Sequence, residues 1–148
     1  MPTHAEKRIL PYTAQQMFDL VADVEKYPEF LPWCADCKIT HFEGNALPTH
    51  LTADLSVGFG FFKETFTSRV KLDHGVMRID VEYLNGPFKH LNNHWIFVPK
   101  GKERCEIDFF IDFEFRSGML QSAMTAFFNE AVRRMIAAFE ARATAIYG

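Results

Sequence analysis

The chain has 148 residues, 48% hydrophobic and 24% charged, a composition that predicts one globular domain (residues 1–148) able to bury a core without disulfides or a metal. Its 19 acidic and 16 basic residues are interspersed and give a net charge of −3. Because the sequence has no block of Lys and Arg residues, it does not predict binding to DNA or other nucleic acid by bulk charge. Sixteen phenylalanines, roughly two to three times the average share, leave two interpretations: a Phe-packed core or a core built around an apolar hollow.

The N-terminal sequence MPTHAEKR contains neither an apolar signal core nor an Arg- and Ser-rich transit segment. No later apolar run approaches the ~18 residues of a membrane span. We therefore expect a bacterial cytoplasmic protein, at most peripheral at the inner membrane.

Residues 3–10 predict a first strand, and Thr13 with Gln16 predicts a capping box at the start of a helix. The residues expected to face inward on this helix are Met17, Leu20, Val21 and Val24.

A segment rich in proline and aromatic residues follows, and we call residues 23–34 the proline segment. Pro28 and Pro32 each fix φ near −65° and lack an amide donor, so a regular helix cannot continue through residues 25–33. The large apolar side chains of this semi-rigid segment should plug the core, lid a cavity or contact an apolar partner. They are Tyr27, Phe30, Leu31 and Trp33.

Three cysteines, an odd number, argue against a disulfide framework and indicate a reducing compartment. Cys34 and Cys37 have C-x-x-C spacing, but no second ligand pair accompanies them, and the residues that follow predict a strand. On a regular strand the two thiols would point to opposite faces, so we predict neither a metal site nor a redox site.

Period-two alternation of apolar and polar residues predicts strands at residues 51–59, 66–72, 77–83 and 105–115. Polar residues at every second position indicate an antiparallel sheet with one covered face, because a doubly covered parallel sheet would show continuous apolar runs.

A helix of ~30 residues, N-capped by Ser117 and reaching residue 146, is predicted to cover the dry face of this sheet. At 1.5 Å per residue it would span roughly 45 Å. The residues expected on its inward face are Leu120, Met124, Phe127, Phe128, Ala131, Met135, Ala138, Phe139 and Arg142.

The sequence contains few candidate catalytic groups. It lacks a phosphate-binding glycine loop, a G-x-S-x-G elbow and an H-E-x-x-H motif, and residues 58–62 predict a bend or turn. His90 and His94 would lie roughly 13 Å apart on a strand, too far to share a metal. Glu64 shares the dry-face alternation of Phe66, Ser68 and Val70, so it either reaches water at the strand end or forms a polar anchor inside a cavity.

Three motifs carry a family resemblance that covers nearly the whole chain. They are residues 23–34 (DVEKYPEFLPWC), 63–70 (KETFTSRV) and 85–91 (NGPFKHL), the last leading to residues 95–97 (WIF). The chain resembles the coenzyme Q-binding proteins of the START and polyketide-cyclase-like superfamily, whose bacterial relatives include a ribosome-association toxin. The resemblance implies an α+β, helix-grip (START-like) fold, in which a curved antiparallel sheet wraps around a long C-terminal helix.

The same resemblance implies non-enzymatic binding of a hydrophobic isoprenoid, ubiquinone by family, in support of respiratory electron transport or quinone biosynthesis. No cofactor is required, and a bound ubiquinone or similar polyprenyl lipid is the expected ligand. Two alternatives stay open: an interaction module acting on the large ribosomal subunit, and an aromatase/cyclase-type enzyme.

We expect the ligand to occupy an apolar cavity of a few hundred Å³, lidded by the proline segment. The expected lid residues are Tyr27, Pro28, Phe30, Leu31, Pro32 and Trp33, and the expected cavity residues are Leu55, Val57, Glu64, Phe66, Val81, Tyr83, Leu91, Trp95, Phe97, Phe109, Phe113, Met124, Phe127, Phe128 and Met135.

Overall fold

A computed structural model describes residues 3–31, 34–44, 48–59 and 62–148. The elements in chain order are β1 (Thr3–Leu10), α1 (Ala14–Ala22), a 3₁₀ helix (Val24–Glu29), β2 (Cys34–Gly44), β3 (Pro48–Phe59), β4 (Phe62–Asp73), β5 (Arg78–Asn85), β6 (Phe88–Pro99), β7 (Cys105–Phe115) and α2 (Gly118–Tyr147). None of the described helices is both long and apolar enough to cross a bilayer.

The seven strands form one curved antiparallel sheet in the order β1-β7-β6-β5-β4-β3-β2. Consecutive strands β1 and β2 therefore lie at opposite edges, and α1 with the 3₁₀ helix connects one edge to the other. Helix α2 packs against β7, β1 and α1 on the inner face. This is the helix-grip arrangement of an α+β domain, as the sequence predicted.

Strand alternation determines which face of the sheet is covered. On β7 the inward series Cys105, Ile107, Phe109, Phe113 and Phe115 is buried, Ile111 of the same series is partly exposed, and the intervening side chains are partly exposed too. The predicted one-sided sheet is confirmed. The prediction for Met77 is wrong, because this residue adopts φ 55° in the turn before β5 rather than belonging to the strand.

Helix α1 begins at the predicted capping box: the Thr13 side chain accepts from the Gln16 amide, and the Gln16 side chain accepts from the Thr13 amide. The predicted inward residues are all buried, although Val24 lies in the 3₁₀ helix because α1 ends at Ala22. Phe18 is also fully buried, since β6 covers this flank of the helix and Phe97 meets the Phe18 ring edge-on at 5.9 Å.

The proline segment leaves α-helical geometry where the sequence predicted, but it packs closely against the rest of the protein. Pro28 lies inside the 3₁₀ helix, and the next turn closes with the Phe30 amide donating to the Tyr27 carbonyl at 3.1 Å. Leu31 is only 4% exposed and belongs to the core. The described part of this segment is therefore a packed wall of the domain.

The two cysteines of the C-x-x-C motif do not point to opposite faces. Strand β2 begins at Cys34, and its pairing with β3 shifts register between Cys34 and Asp36. The shift marks an irregularity of the β-bulge kind, which inserts a residue into one strand and changes the alternation beyond it. Cys34 and Cys37 are both buried in the core cluster, so the predicted orientation was wrong.

All three thiols are free and buried, and burial raises the pKa of Cys37 to about 12 and the pKa values of Cys34 and Cys105 to about 11. We expect none of them to react with an alkylating reagent at pH 8 until the protein is unfolded, because the thiolate is the nucleophile. Mass spectrometry of labelled native and urea-unfolded protein measures this. About one equivalent of zinc per chain in the native protein would contradict free, protonated thiols.

The same pKa shifts predict how stability depends on pH. An unfolded thiol ionises near 8.5, below the raised pKa values of the folded thiols, so the folded state holds its protons longer as pH rises. The contribution of the buried, protonated thiols to the free energy of unfolding is fully present below about pH 8.5 and is lost as the pH rises towards 11. Urea unfolding at a series of pH values measures this loss. An unfolding free energy that stays constant across this range would contradict it.

Helix α2 begins where predicted, with the Ser117 hydroxyl accepting from the Leu120 amide at 3.3 Å. Its buried face differs in part from the predicted one: Phe128 and Phe139 are buried as expected, but Val132, Ile136 and Ala143 are buried too. The predicted Leu120, Ala131, Met135, Ala138 and Arg142 keep partial exposure. The buried stripe is broader than expected because one flank of the helix packs on β7 and β1 while the other borders a cavity.

Candidate functional site

A cavity of about 240 Å³ lies between the inner face of the sheet, helix α2 and the residues from Val21 to Leu31. Strands β3 to β7 supply most of its wall, and α2 supplies Phe128, Ala131, Val132, Met135 and Phe139. Twelve of the residues expected from the sequence lie on this wall: Tyr27, Leu31, Leu55, Val57, Phe66, Val81, Leu91, Trp95, Phe109, Phe113, Phe128 and Met135.

Five expected residues lie off the wall. Phe97 packs against Phe18, and the Phe30 ring lies against Phe139 and under the Arg142 guanidinium, 5.2 Å from its ring centroid. The others are Pro28 within the 3₁₀ helix, Tyr83, and Glu64 near the β3–β4 connection. Pro32 and Trp33, and the side chains of Met124 and Phe127, lie outside the described residues.

The sequence left Glu64 either in water at the strand end or as a polar anchor in the cavity; it is partly exposed and pairs opposite Val57 near the strand end. This position solvates a carboxylate at lower cost than an apolar cavity would. Tyr83 is held elsewhere: its hydroxyl accepts from the Phe88 amide at 3.0 Å, and its ring meets the Phe88 ring edge-on at 5.5 Å.

The cavity wall carries few polar groups, and two of them are already bonded. The Tyr27 hydroxyl donates to the Val21 carbonyl, and burial raises the pKa of Tyr27, so this group stays a neutral phenol. Asn93 Nδ2 donates to the Phe110 carbonyl at 2.8 Å. Ser68 also lines the cavity, and no charged side chain does so among the described residues. The site suits an apolar molecule with little polar surface.

Sequence reasoning placed Ser68 on the dry face but passed over it for Glu64, and it missed Asn93 altogether. Alternation with Phe66 and Val70 marks Ser68, and alternation with Leu91 and Trp95 would have marked Asn93. A small polar residue inside an inward-facing apolar series is thus the signal for a polar group on the cavity wall.

Beside the cavity, the inner face of β1 carries a row of polar residues that the sequence did not single out. His4 Nε2 lies 3.1 Å from Glu6 Oε1, and Arg8 Nη1 lies 3.2 Å from Glu140 Oε2 on α2. The His4 ring contacts the Phe128 ring edge-on at 6.4 Å. The Arg8–Glu140 pair and the His4–Phe128 contact join the sheet edge to α2, and both stand outside the cavity wall.

The described residues contain no group of three or more His, Cys, Asp or Glu that could hold a metal ion. The two histidines weighed from the sequence have other neighbours. His90 Nε2 lies 3.3 Å from Asp112 Oδ2, and His94 stacks on Phe110 at 5.3 Å.

Comparison with known proteins agrees with this architecture. Residues 10–140 match the family described as polyketide cyclase / dehydrase and lipid transport. The ribosome association toxin RatA of Escherichia coli is 36% identical over 147 residues, which cover 99% of this chain and 90% of that protein. The mitochondrial coenzyme Q-binding protein COQ10 homolog B of Xenopus laevis is 33% identical over 98% of this chain and 59% of its own length.

Among solved structures, the 18 kDa protein CC1736 of Caulobacter crescentus superposes with a TM-score of 0.82 and 39% identity, covering 100% of this chain and 99% of that one. The match runs through the sheet and both helices, so it includes every element that forms the cavity. With its seven-stranded sheet, long C-terminal helix and apolar cavity, the chain belongs to the polyketide cyclase / dehydrase and lipid transport family, and it has the START-like helix-grip fold that its sequence motifs indicated.

Proposed function

We propose that this protein binds and presents a hydrophobic isoprenoid, a ubiquinone-type quinone, without catalysing a reaction on it. The observation that carries the proposal is the cavity, whose described wall is apolar apart from a few uncharged polar groups. Similarity to a protein named as coenzyme Q-binding, over 98% of this chain, supports the ligand class.

The apolar cavity wall indicates which part of the ligand supplies the binding free energy. Each Å² of apolar ligand surface removed from water stabilises the complex by about 25 cal/mol, so an isoprenoid tail supplies most of the affinity. A volume of about 240 Å³ lies just below the roughly 300–1,000 Å³ of drug-sized pockets. A ring with the first part of its tail fits this space, and a longer tail extends beyond it.

A carrier role is favoured over an enzymatic one by the chemistry of the wall. General acid-base catalysis needs a titratable group within hydrogen-bond reach of the reacting atom. Burial raises the pKa values of Tyr27 and Cys37, the titratable groups on the described wall, and so both stay protonated near neutral pH. A ligand can be oriented and shielded from water here, but proton transfer lacks a poised donor or acceptor.

Trp95 provides the test, because it is 5% exposed and its indole lies on the cavity wall. In a Trp33→Phe variant, Trp95 is the only tryptophan of the chain. We expect a short-chain ubiquinone to quench its fluorescence and saturate at one equivalent. Native mass spectrometry of protein purified from its bacterial host should show a co-purified prenylated lipid.

The matched control is Trp95→Phe, which removes the indole on the described wall and should lose the share of the quenching that Trp95 contributes. Absence of both quenching and co-purified lipid in the parent protein would overturn the proposal. Flotation with anionic and neutral vesicles tests the accompanying expectation of a cytoplasmic protein that meets the inner membrane peripherally.

A second candidate is translation inhibition at the large ribosomal subunit, supported by 36% identity to a protein named as a ribosome association toxin. The net charge of −3 and the lack of a Lys/Arg block in the sequence tell against an RNA-facing role. Sucrose-gradient profiles with added protein test it: a loss of 70S particles with a gain of free subunits would favour this role.

A further inference from the structure

One polar side chain faces the cavity without any hydrogen-bond partner. Ser68 lies in the middle of β4, paired with Ala53 on β3 and Tyr83 on β5, and is 6% exposed. It lines the cavity, and its hydroxyl oxygen has no hydrogen-bond partner. Within the described part of the chain it is the only buried polar or charged residue.

Three other buried polar atoms of the described residues lack a hydrogen bond, but each belongs to a side chain that forms an ion pair. The pairs are Glu6–Arg8 at 3.0 Å, His90–Asp112 at 3.3 Å and Arg142–Glu29 at 3.2 Å. Each of those side chains therefore has a polar partner nearby. Ser68 forms no such pair, and of these four unpartnered groups it is the one that lines the cavity.

A buried hydroxyl without a partner destabilises the folded state, because it has given up its hydrogen bonds to water. Such a cost is offset when a bound molecule supplies the partner. We propose that Ser68 is the polar anchor of the cavity and donates a hydrogen bond to a carbonyl oxygen of the bound isoprenoid. This inference rests on the proposed function and adds how the head group is recognised.

The surrounding wall limits the chemistry of that head group. A hydroxyl can donate and accept, but a quinone oxygen only accepts, so Ser68 must be the donor. The Tyr27 hydroxyl proton is committed to Val21, and one Asn93 N–H is committed to Phe110. A carboxylate would enter without a compensating cation on the described wall, so a neutral carbonyl is favoured over a fatty-acid head.

Two probes separate the anchor from general apolar binding: a ubiquinone with two isoprene units, and a prenylated arene of matched size without carbonyl groups. Ser68→Ala should weaken quinone binding by roughly three- to tenfold, the worth of one neutral hydrogen bond, and leave arene binding unchanged. Ser68→Thr, which keeps the hydroxyl, should retain most of the quinone affinity. Val70→Ala, on the same face of β4, should weaken both probes alike.

Infrared spectroscopy reads the bond directly. The carbonyl stretch of the bound quinone should lie at lower frequency in the parent and in Ser68→Thr than in Ser68→Ala. The unliganded Ser68→Ala protein should melt no lower than the parent, because the substitution removes an unpartnered hydroxyl. If Ser68→Ala does not fold, Ser68→Cys replaces it with a much weaker donor.

The possible failures can be told apart. Equal quinone affinity and an unshifted carbonyl band in Ser68→Ala would overturn the anchor and leave the proposed function intact. Lower melting of unliganded Ser68→Ala, with both probes weakened equally, would assign Ser68 a packing role and also overturn the anchor. A parent that binds neither probe would overturn the proposed function itself.

Discussion

Gly86→Ala should lower the free energy of unfolding by roughly 3 kcal/mol and the melting temperature by about 10 °C. Gly86 lies between β5 and β6 with φ +146°, a backbone conformation that L side chains rarely adopt. An added Cβ would lie 2.5 Å from Phe66 Cβ and 3.0 Å from Phe66 Cα. The main chain of β4 fixes the positions of both atoms, so no side-chain rotation relieves the contact.

The consequence for the cavity follows from the position of Phe66. Its ring is on the wall and meets the Phe88 ring edge-on at 5.3 Å. Moving β4 away from Gly86 would displace the Phe66 ring and disturb its contact with the Phe88 ring. We therefore expect Gly86→Ala to weaken quinone binding together with stability.

Gly101→Ala is the matched control, because Gly101 also has positive φ, +93°, but an added Cβ there meets no atom within 4 Å. It should cost only the backbone strain, about 1 kcal/mol. Urea unfolding of both variants measures the difference. Equal losses would show that φ strain alone, and not the contact with Phe66, sets the effect.

Local rules accounted for most of the fold. The capping box at Thr13 and the N-cap at Ser117 depend on neighbours three residues away, so a single sequence contains the information. Alternation on β7 likewise encodes which face is buried. The order β1-β7 and the edge position of β2 depend on contacts between distant segments, and only the resemblance to a family indicated them.

The errors come from features that local patterns do not encode. The irregular pairing between β2 and β3 decides where Cys34 and Cys37 point, and such a shift has no reliable signature in one strand read alone. The buried stripe of α2 includes Val132 and Ile136 because two different surfaces cover the helix. The periodicity of apolar residues gives the direction of one buried face of a helix, but it does not show how many other parts of the protein pack against that helix.

The candidate site was predicted as a set of aromatic residues more successfully than as a chemical environment. Large apolar residues on inward alternation reach the cavity wall wherever the sheet is regular, as Phe109 and Phe113 do. Phe97 follows the same alternation but meets α1 through Phe18. Whether an inward residue borders a hollow or a helix depends on the tertiary packing above it.

Phe128→Ala and Phe18→Ala should differ in cost although both rings are buried. Phe18 is 0% exposed and off the cavity wall, so its deletion should cost the ~3–5 kcal/mol of a packed aromatic residue. Phe128 is on the wall, where one side of its ring borders existing empty volume. It has fewer atomic contacts to lose there, so we expect about 2 kcal/mol.

For ligand binding we expect the larger effect from Phe128→Ala, the variant with the smaller loss of stability. Phe128→Ala enlarges the cavity beside Met135 and should shift the preferred isoprenoid towards longer chains, whereas Phe18→Ala should leave chain-length preference unchanged. Urea unfolding and competition between quinones of one to four isoprene units measure the two effects. A full ~3–5 kcal/mol loss in Phe128→Ala with unchanged chain-length preference would indicate a packed core, and it would favour an interaction module over a carrier.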